Sequence, residues 1–176
     1  ARTCHVSMLE FANKYLLSPL DIEKCKCYIA DNRENHISFI TLRESQGRRW
    51  LCDTKENAAA GFGLCLSAMD MAKIGQLCVN NGKYNGKSIV SESWITQMLM
   101  SHSSTEINSQ KMKYGYLWWI IDAENKIYAA IGDSGNVIYI DAKDEIVVAI
   151  ASSFKSSVHD RITFIQHNIL PYINAS

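Results

Sequence analysis

The sequence is short of most features that would assign it to a specialised class. It has no charge imbalance: eighteen Lys and Arg face eighteen Asp and Glu. No bulk field therefore draws the chain to nucleic acid or to an anionic membrane surface. It has no apolar run approaching the roughly 18 residues that cross a bilayer, and its opening residues are expected not to be a signal peptide. It has no internal repeat and no low-complexity linker. Six cysteines are present, but Cys25-x-Cys27 lacks a second pair and no two His stand four apart, so the spacing fits no zinc site. Neither a metal nor a cofactor is expected.

What remains is an ordinary globular composition, 47% hydrophobic and 20% charged over 176 residues. That length supports a core and reads as one domain, residues 1–176. Cys65 and Cys78 sit among apolar residues as small buried hydrophobes. One disulfide is possible among Cys4, Cys25, Cys27 and Cys52, although free thiols are the preferred reading. Arg43, Arg48 and Arg49 cluster around Gly47 and read as a solvated hairpin tip, with an anion site as the alternative.

In chain order, Ser7–Leu17 has helical periodicity, with Met8, Phe11, Ala12, Tyr15 and Leu16 on one stripe. Ser7 and Glu10 stand in capping-box positions, and Ser18-Pro19 is expected to end the helix. After the polar loop Asp31–Asn35, His36–Leu42 and Arg49–Cys52 read as short strands around Gln46-Gly47. The Ala- and Gly-rich segment Asn57–Leu66 signals close backbone packing or a loop lining a cleft. Ser67 is placed to cap a helix over Ala68–Asn81, with Met71, Ile74, Leu77 and Cys78 inward and Asn81-Gly82 as its stop. Asn85-Gly86 is a tight turn. Ser91 caps a short helix with Trp94, Ile95, Met98 and Leu99 inward, and Ser101–Lys113 reads as a polar loop. A last helix spans about Ser157–Ile173, with Val158, Ile162, Ile165 and Ile169 on one face.

The stretch Tyr114–Ile150 organises the rest. Four runs rich in Tyr, Trp, Ile and Val are separated by Asp122–Asn125, Gly132–Asn136 and Asp141–Glu145, the pattern of successive antiparallel strands. Ile146–Ile150 is continuously apolar, as in a strand covered on both faces. The middle break, Gly132-Asp133-Ser134-Gly135, is the place where small residues let another backbone approach a strand end, and so the candidate for chemistry.

The order of these motifs resembles the β-lactamase-related serine hydrolases and penicillin-binding proteins. The resemblance is carried by Glu10-Phe11-Ala12 through Pro19-Leu20, by Ala60–Leu64, by Ser67–Gln76, and by Asn81–Trp94. Tyr114-Gly115-Tyr116 with Trp118-Trp119 is similar to the family's YGYGWW strand, and Ile131–Ile150 to its following hairpin. The resemblance implies an α+β fold: an antiparallel sheet of three to five strands with Ser7–Leu17 and Ser157–Ile173 packed on it, and Ala68–Asn81 in a helical lobe beside a cleft. It implies hydrolysis of a small amide or ester through an acyl-serine, which needs S-x-x-K, Y-x-N and K-T-G or H-x-G motifs together.

Only the third motif has a counterpart in its expected place, at Asp133, Ser134 and Gly135. Asp133 reverses the charge of the family's Lys or His, so an ionised Asp133 would repel a carboxylate substrate such as penicillin. The bland alternative is an Asp-Ser-Gly turn without chemistry. Trp118 and Asn136 are the candidate substrate contacts, with alternation sending only one of Trp118 and Trp119 outward. Ser152-x-x-Lys155 and Tyr172-x-Asn174 match the first two motifs but follow the third, and read as coincidence. His159 and Asp160 read as capping residues. The chain is thus expected to be the C-terminal half of such a hydrolase, inactive alone, or a non-catalytic binding or assembly module derived from it. Truncation is expected to expose an apolar face and drive self-association.

Overall fold

A computed structural model describes residues 5–41, 47–107, 110–132, 135–152 and 160–173. The chain falls into two compact units, Ala1–Asp70 and Met71–Ser176. In the first, α1 (Met8–Ala12) continues as a π turn over Asn13–Leu17 and a 3-10 turn over Ser18–Leu20. The capping box forms as read: Ser7 Oγ accepts from the Glu10 N–H at 3.1 Å, and the Glu10 carboxylate accepts from the Ser7 N–H at 3.0 Å.

The buried face is not the stripe read from the sequence. Phe11 and Tyr15 are 43% and 49% exposed, whereas Leu17 and Leu20 are fully buried. The wider π turn shifts every later side chain around the axis relative to a 3.6-residue period. Asn13 fixes that turn by bonding both the N–H and the C=O of Cys25. Pro19 does not stop the helical path. It occupies the start of the 3-10 turn, where a missing N–H costs nothing, and Asp21 at φ 54° ends the run.

Strand β1 (Lys26–Ile29), unread from the sequence, pairs in parallel with β2 (Arg49–Cys52), and β3 (Leu64–Cys65) joins β2 antiparallel. The connection between β1 and β2 contains helix α2 (Arg33–Thr41), which replaces the strand expected at His36–Leu42. Asn32 decides this locally, because its side-chain oxygen caps the Asn35 N–H at 2.8 Å. A crossover with a helix is also the usual way to join two parallel strands.

The basic cluster is not a solvated tip: Arg49 is buried with its guanidinium 4.9 Å from the Tyr28 ring and 5.2 Å from Phe39. Arg48 pairs with Glu23 and Asp70, and Arg43 lies outside the described residues. The Ala- and Gly-rich segment closes tightly on β2, with Gly63 O accepting from the Leu51 N–H at 2.9 Å.

Helix α3 (Ala68–Val79) starts at a second capping box, Ser67 with Asp70. In the second unit follow the hairpin β4 (Lys83–Tyr84) and β5 (Lys87–Ser88), then α4 (Glu92–Leu99) capped by Ser91. Six strands then form one antiparallel meander: β6 (Ser103–Ile107), β7 (Gln110–Tyr114), β8 (Trp119–Asp122), β9 (Ile127–Ile131), β10 (Val137–Asp141) and β11 (Ile146–Ile150). The last four match the four apolar runs. The sheet exceeds the expected three to five strands because Ser101–Lys113, read as a loop, supplies β6 and most of β7.

Full burial falls on β10 and not on Ile146–Ile150, which is half-buried throughout because β11 is an edge strand. Alternation along β10 sends Ile138 and Ile140 to a core shared with Cys78, Val79, Ile95 and Trp118. Val137 and Tyr139 go to the other face, against Ile165. That residue belongs to α5 (Arg161–Asn168), which Asp160 caps, and α6 (Leu170–Ile173) follows. Trp94, expected inward, is 51% exposed and stacks on Tyr116 at 5.7 Å.

From Met71 onward α3, expected in a helical lobe beside a cleft, packs on the sheet. Gly75 permits this, since a Cβ there would stand 2.5 Å from Val147 Cγ1 and 2.9 Å from Ile138 Cγ2. Gly75→Ala therefore lowers stability by about 1–2 kcal/mol despite the better helix propensity of alanine, overpacking outweighing a gain of about 1 kcal/mol. Denaturant titration of the two proteins side by side checks it.

Candidate functional site

The Gly132–Asn136 break lies at one end of the sheet, between β9 and β10. Gly132 N–H donates to Asn136 O at 2.9 Å and Gly135 N–H to Gly132 O at 2.9 Å, which closes the turn. Gly135 has φ 85°, a conformation that favours glycine. A Cβ at Gly135 would stand 3.0 Å from Arg161 Nη2 and 3.3 Å from Ser152 Oγ. Three elements thus meet at this turn: the start of β10, the exit from β11 and the first residue of α5. Asn136 Oδ1 accepts from the Ser152 N–H at 2.8 Å, and Arg161 Nη2 donates to Ser152 Oγ at 3.4 Å.

Of the residues read as candidates, Gly135 and Asn136 belong to this arrangement, while Asp133 and Ser134 lie outside the described residues. Trp118 is only 5% exposed and packs with Ile95, Ile138 and Ile140 in the core. Trp119 is the half-buried one of the pair, its ring 4.6 Å from Tyr114. Ser152 enters the sequence reading only as a chance S-x-x-K match and Arg161 not at all, since only the placement of β11 and α5 brings them to Gly135. Lys155, His159 and Asn174 lie outside the described residues.

The Ser152 hydroxyl accepts from the Arg161 guanidinium, a group of N–H donors with no acceptor atom. Among the described residues no group of three His, Cys, Asp or Glu side chains is arranged to hold a metal ion, and no helix is long and apolar enough to cross a membrane.

Three of the described thiols are held in the protonated form. Cys25, Cys27, Cys52, Cys65 and Cys78 are free. Burial, with neighbouring carboxylates added, pushes Cys25 up to about 11. Burial and a hydrogen bond with Cys52 push Cys27 up to about 12, and burial alone takes Cys78 to about 12. These three thiols stay protonated at neutral pH, so native iodoacetamide labelling at pH 7.5 is expected to leave them unmodified while labelling in denaturant is complete. Peptide mass spectrometry reads the difference.

No protein-family model matches the chain. The 6-aminohexanoate-dimer hydrolase of Paenarthrobacter ureafaciens is 23% identical over 111 residues, covering 57% of this chain and 28% of that protein. A solved structure described as a putative 6-aminohexanoate-dimer hydrolase from Bacillus anthracis superposes with a TM-score of 0.56 at 29% identity, over 70% of this chain and 32% of that one. A penicillin-binding protein homolog from Caulobacter crescentus shares the fold, with a TM-score of 0.55 at 10% identity over 86% of this chain and 48% of its own. The chain therefore spans less than a third of the length of the two hydrolases it matches.

Proposed function

We propose, from the premise that this chain belongs to the superfamily of β-lactamase-related serine hydrolases and penicillin-binding proteins, that it forms the C-terminal part of an enzyme hydrolysing an amide or ester through an acyl-serine. Residues 1–176 are then one incomplete domain, inactive alone, because the nucleophilic serine and the base that takes its proton come from outside it. The observation that supports this most is the 29% identity over 70% of this chain joined to coverage of only 32% of the related structure.

In this reading the turn at Gly132–Asn136 edges the cleft. Gly135 lets the Arg161 guanidinium and the Ser152 hydroxyl approach the start of β10, Asn136 holds the β11 exit in place, and Asp133 and Ser134 complete the third-motif position. Ionised Asp133 disfavours a carboxylate at that point of the substrate, so a neutral ester or linear amide fits better than a penicillin. Trp118 acts from beneath, as packing under the sheet.

The test compares this chain with the product of the whole coding region that contains it, on a nitrophenyl ester and a short linear amide. Turnover by the longer protein only, with a fluorophosphonate label on a serine outside residues 1–176, is the expected result. A label within this chain, or a longer protein that never acylates, overturns the reading. The second outcome would leave the non-catalytic module, which the reversed charge at Asp133 favours.

A further inference from the structure

The three-stranded sheet of the first unit carries a pair of thiols that the Gly132–Asn136 turn does not use. The parallel register sets Cys27 of β1 beside Trp50 of β2, and Ile29 beside Cys52. Paired residues share a face and the side-chain period is two, so Cys27, Trp50 and Cys52 lie on one face. Tyr28 and Arg49 lie on the opposite face, where the Arg49 guanidinium meets the Tyr28 and Phe39 rings. The two thiols meet on the diagonal between the strands. Cys27 hydrogen-bonds the Cys52 sulfur, and Cys52 Sγ in turn donates to Trp50 O at 3.3 Å. Cys52 is 4% exposed, whereas Cys27 is half-buried and gives the pair an opening to solvent.

That diagonal selects among the chemistries open to a dithiol. Strands about 4.8 Å apart and an offset along the strand of about 6.6 Å put the two Cα atoms roughly 8 Å apart. A disulfide needs about 4.4–6.8 Å, so closing one would drag the strands out of register. Sulfurs in hydrogen-bond contact instead match an ion seated between them on two metal–sulfur bonds of about 2.3 Å each. Thiolate donors select soft ions, and two of them fill the shell of Cu(I). Zinc, which takes four ligands, is not served: among the described residues no group of three His, Cys, Asp or Glu side chains is arranged to hold a metal. The Asp53 and Glu56 carboxylates act on Cys27 and favour an incoming cation.

We propose that Cys27 and Cys52 form a two-coordinate site for a soft monovalent cation, Cu(I), held between β1 and β2. On binding, both S–H bonds break, two S–Cu bonds form and the two protons pass to solvent, while copper keeps its oxidation state. The ion ties β1 to β2 across the connection that contains α2, so the loaded first unit is the more stable one.

The experiment is anaerobic titration of the reduced 176-residue chain with Cu(I) in competition with a chromophoric Cu(I) chelator, followed by X-ray absorption at the copper edge. About one ion per chain is expected, with two sulfur neighbours and no comparable uptake of Zn(II). Cys27→Ser, at the half-buried position, should weaken binding by about tenfold or more, while Cys65→Ser leaves it unchanged. Uptake too weak to compete with the chelator, a copper site of three or four sulfurs, or binding indifferent to Cys27→Ser overturns the proposal. So does a Cys27–Cys52 disulfide formed by hydrogen peroxide with the wild-type circular dichroism kept, because the Cα span would then not be as described. Should Cys27→Ser misfold, the sulfur count in the wild type decides. No acylation chemistry enters this test, so its failure and that of the hydrolase reading are separable.

Discussion

Gly82→Ala is expected to lower the stability of the chain by about 3 kcal/mol or more, a large share of what holds a domain of this size together. Gly82 has φ 85° and ends α3 with its N–H on Leu77 O at 2.8 Å, while its own carbonyl accepts from Ile89 and Val90. A Cβ would stand 2.0 Å from Val90 O and 2.9 Å from Val90 C. Those atoms are backbone and cannot rotate away, so the turn that ties the β4–β5 hairpin and the start of α4 to α3 must open. Gly86 is the control. Its φ is 75° but nothing lies within 4 Å of the added Cβ, so Gly86→Ala loses only the conformational part, about 1 kcal/mol. Urea titration followed by tryptophan fluorescence separates the two: equal losses would mean that the Gly82 contact is not as described.

Asp70→Asn is expected to cost about 2–3 kcal/mol, somewhat below a fully enclosed ion pair because the Arg48 side chain keeps 30% of its surface in solvent. The Asp70 carboxylate is 2% exposed and accepts from Arg48 Nε at 2.8 Å, Arg48 Nη2 at 3.2 Å and Ser67 Oγ at 2.7 Å. Burial pushes its pKa up, but the bonds from Arg48 and Ser67 outweigh burial and hold the carboxyl below its ordinary value. A carboxyl lowered in the folded state takes its proton later there than in the unfolded chain. Its stabilisation is therefore complete above the unfolded value near 4 and lost as pH falls through the folded value. Asp53, Asp122 and Asp160 are lowered chiefly by hydrogen bonds from Asn57, Asn125 and Thr163, so they add to the same acid limb. The variant should show a shallower loss of stability below pH 4 than the wild type. An unchanged acid limb would remove Asp70 from the explanation.

Legibility followed how local each determinant is. The four strands of Tyr114–Ile150 and the caps at Ser7, Ser67 and Ser91 depend on residues within a few positions, and they form as read. Helix α2 escapes the sequence reading because His36–Phe39 alternates polar and apolar like a strand, while the deciding bond comes from Asn32 just before it. The face buried by the first helix depends on a π turn that no periodicity reveals. Leu117 shows the reverse: it stands where the family's YGYGWW strand has its second glycine, and its φ of 64° is the conformation that glycine serves. At the site, the Gly132–Asn136 break was readable from its small residues. The approach of Ser152 and Arg161 was not, because it is set by strands and a helix meeting from far along the chain.

The most direct test of the central claim, that these residues are hydrolase structure without its nucleophile, is the intact mass of the chain after incubation with a fluorophosphonate and, separately, a penicillin. An unmodified mass with both reagents is the predicted result. A stoichiometric adduct mapped to Ser152 or Ser134 would contradict it.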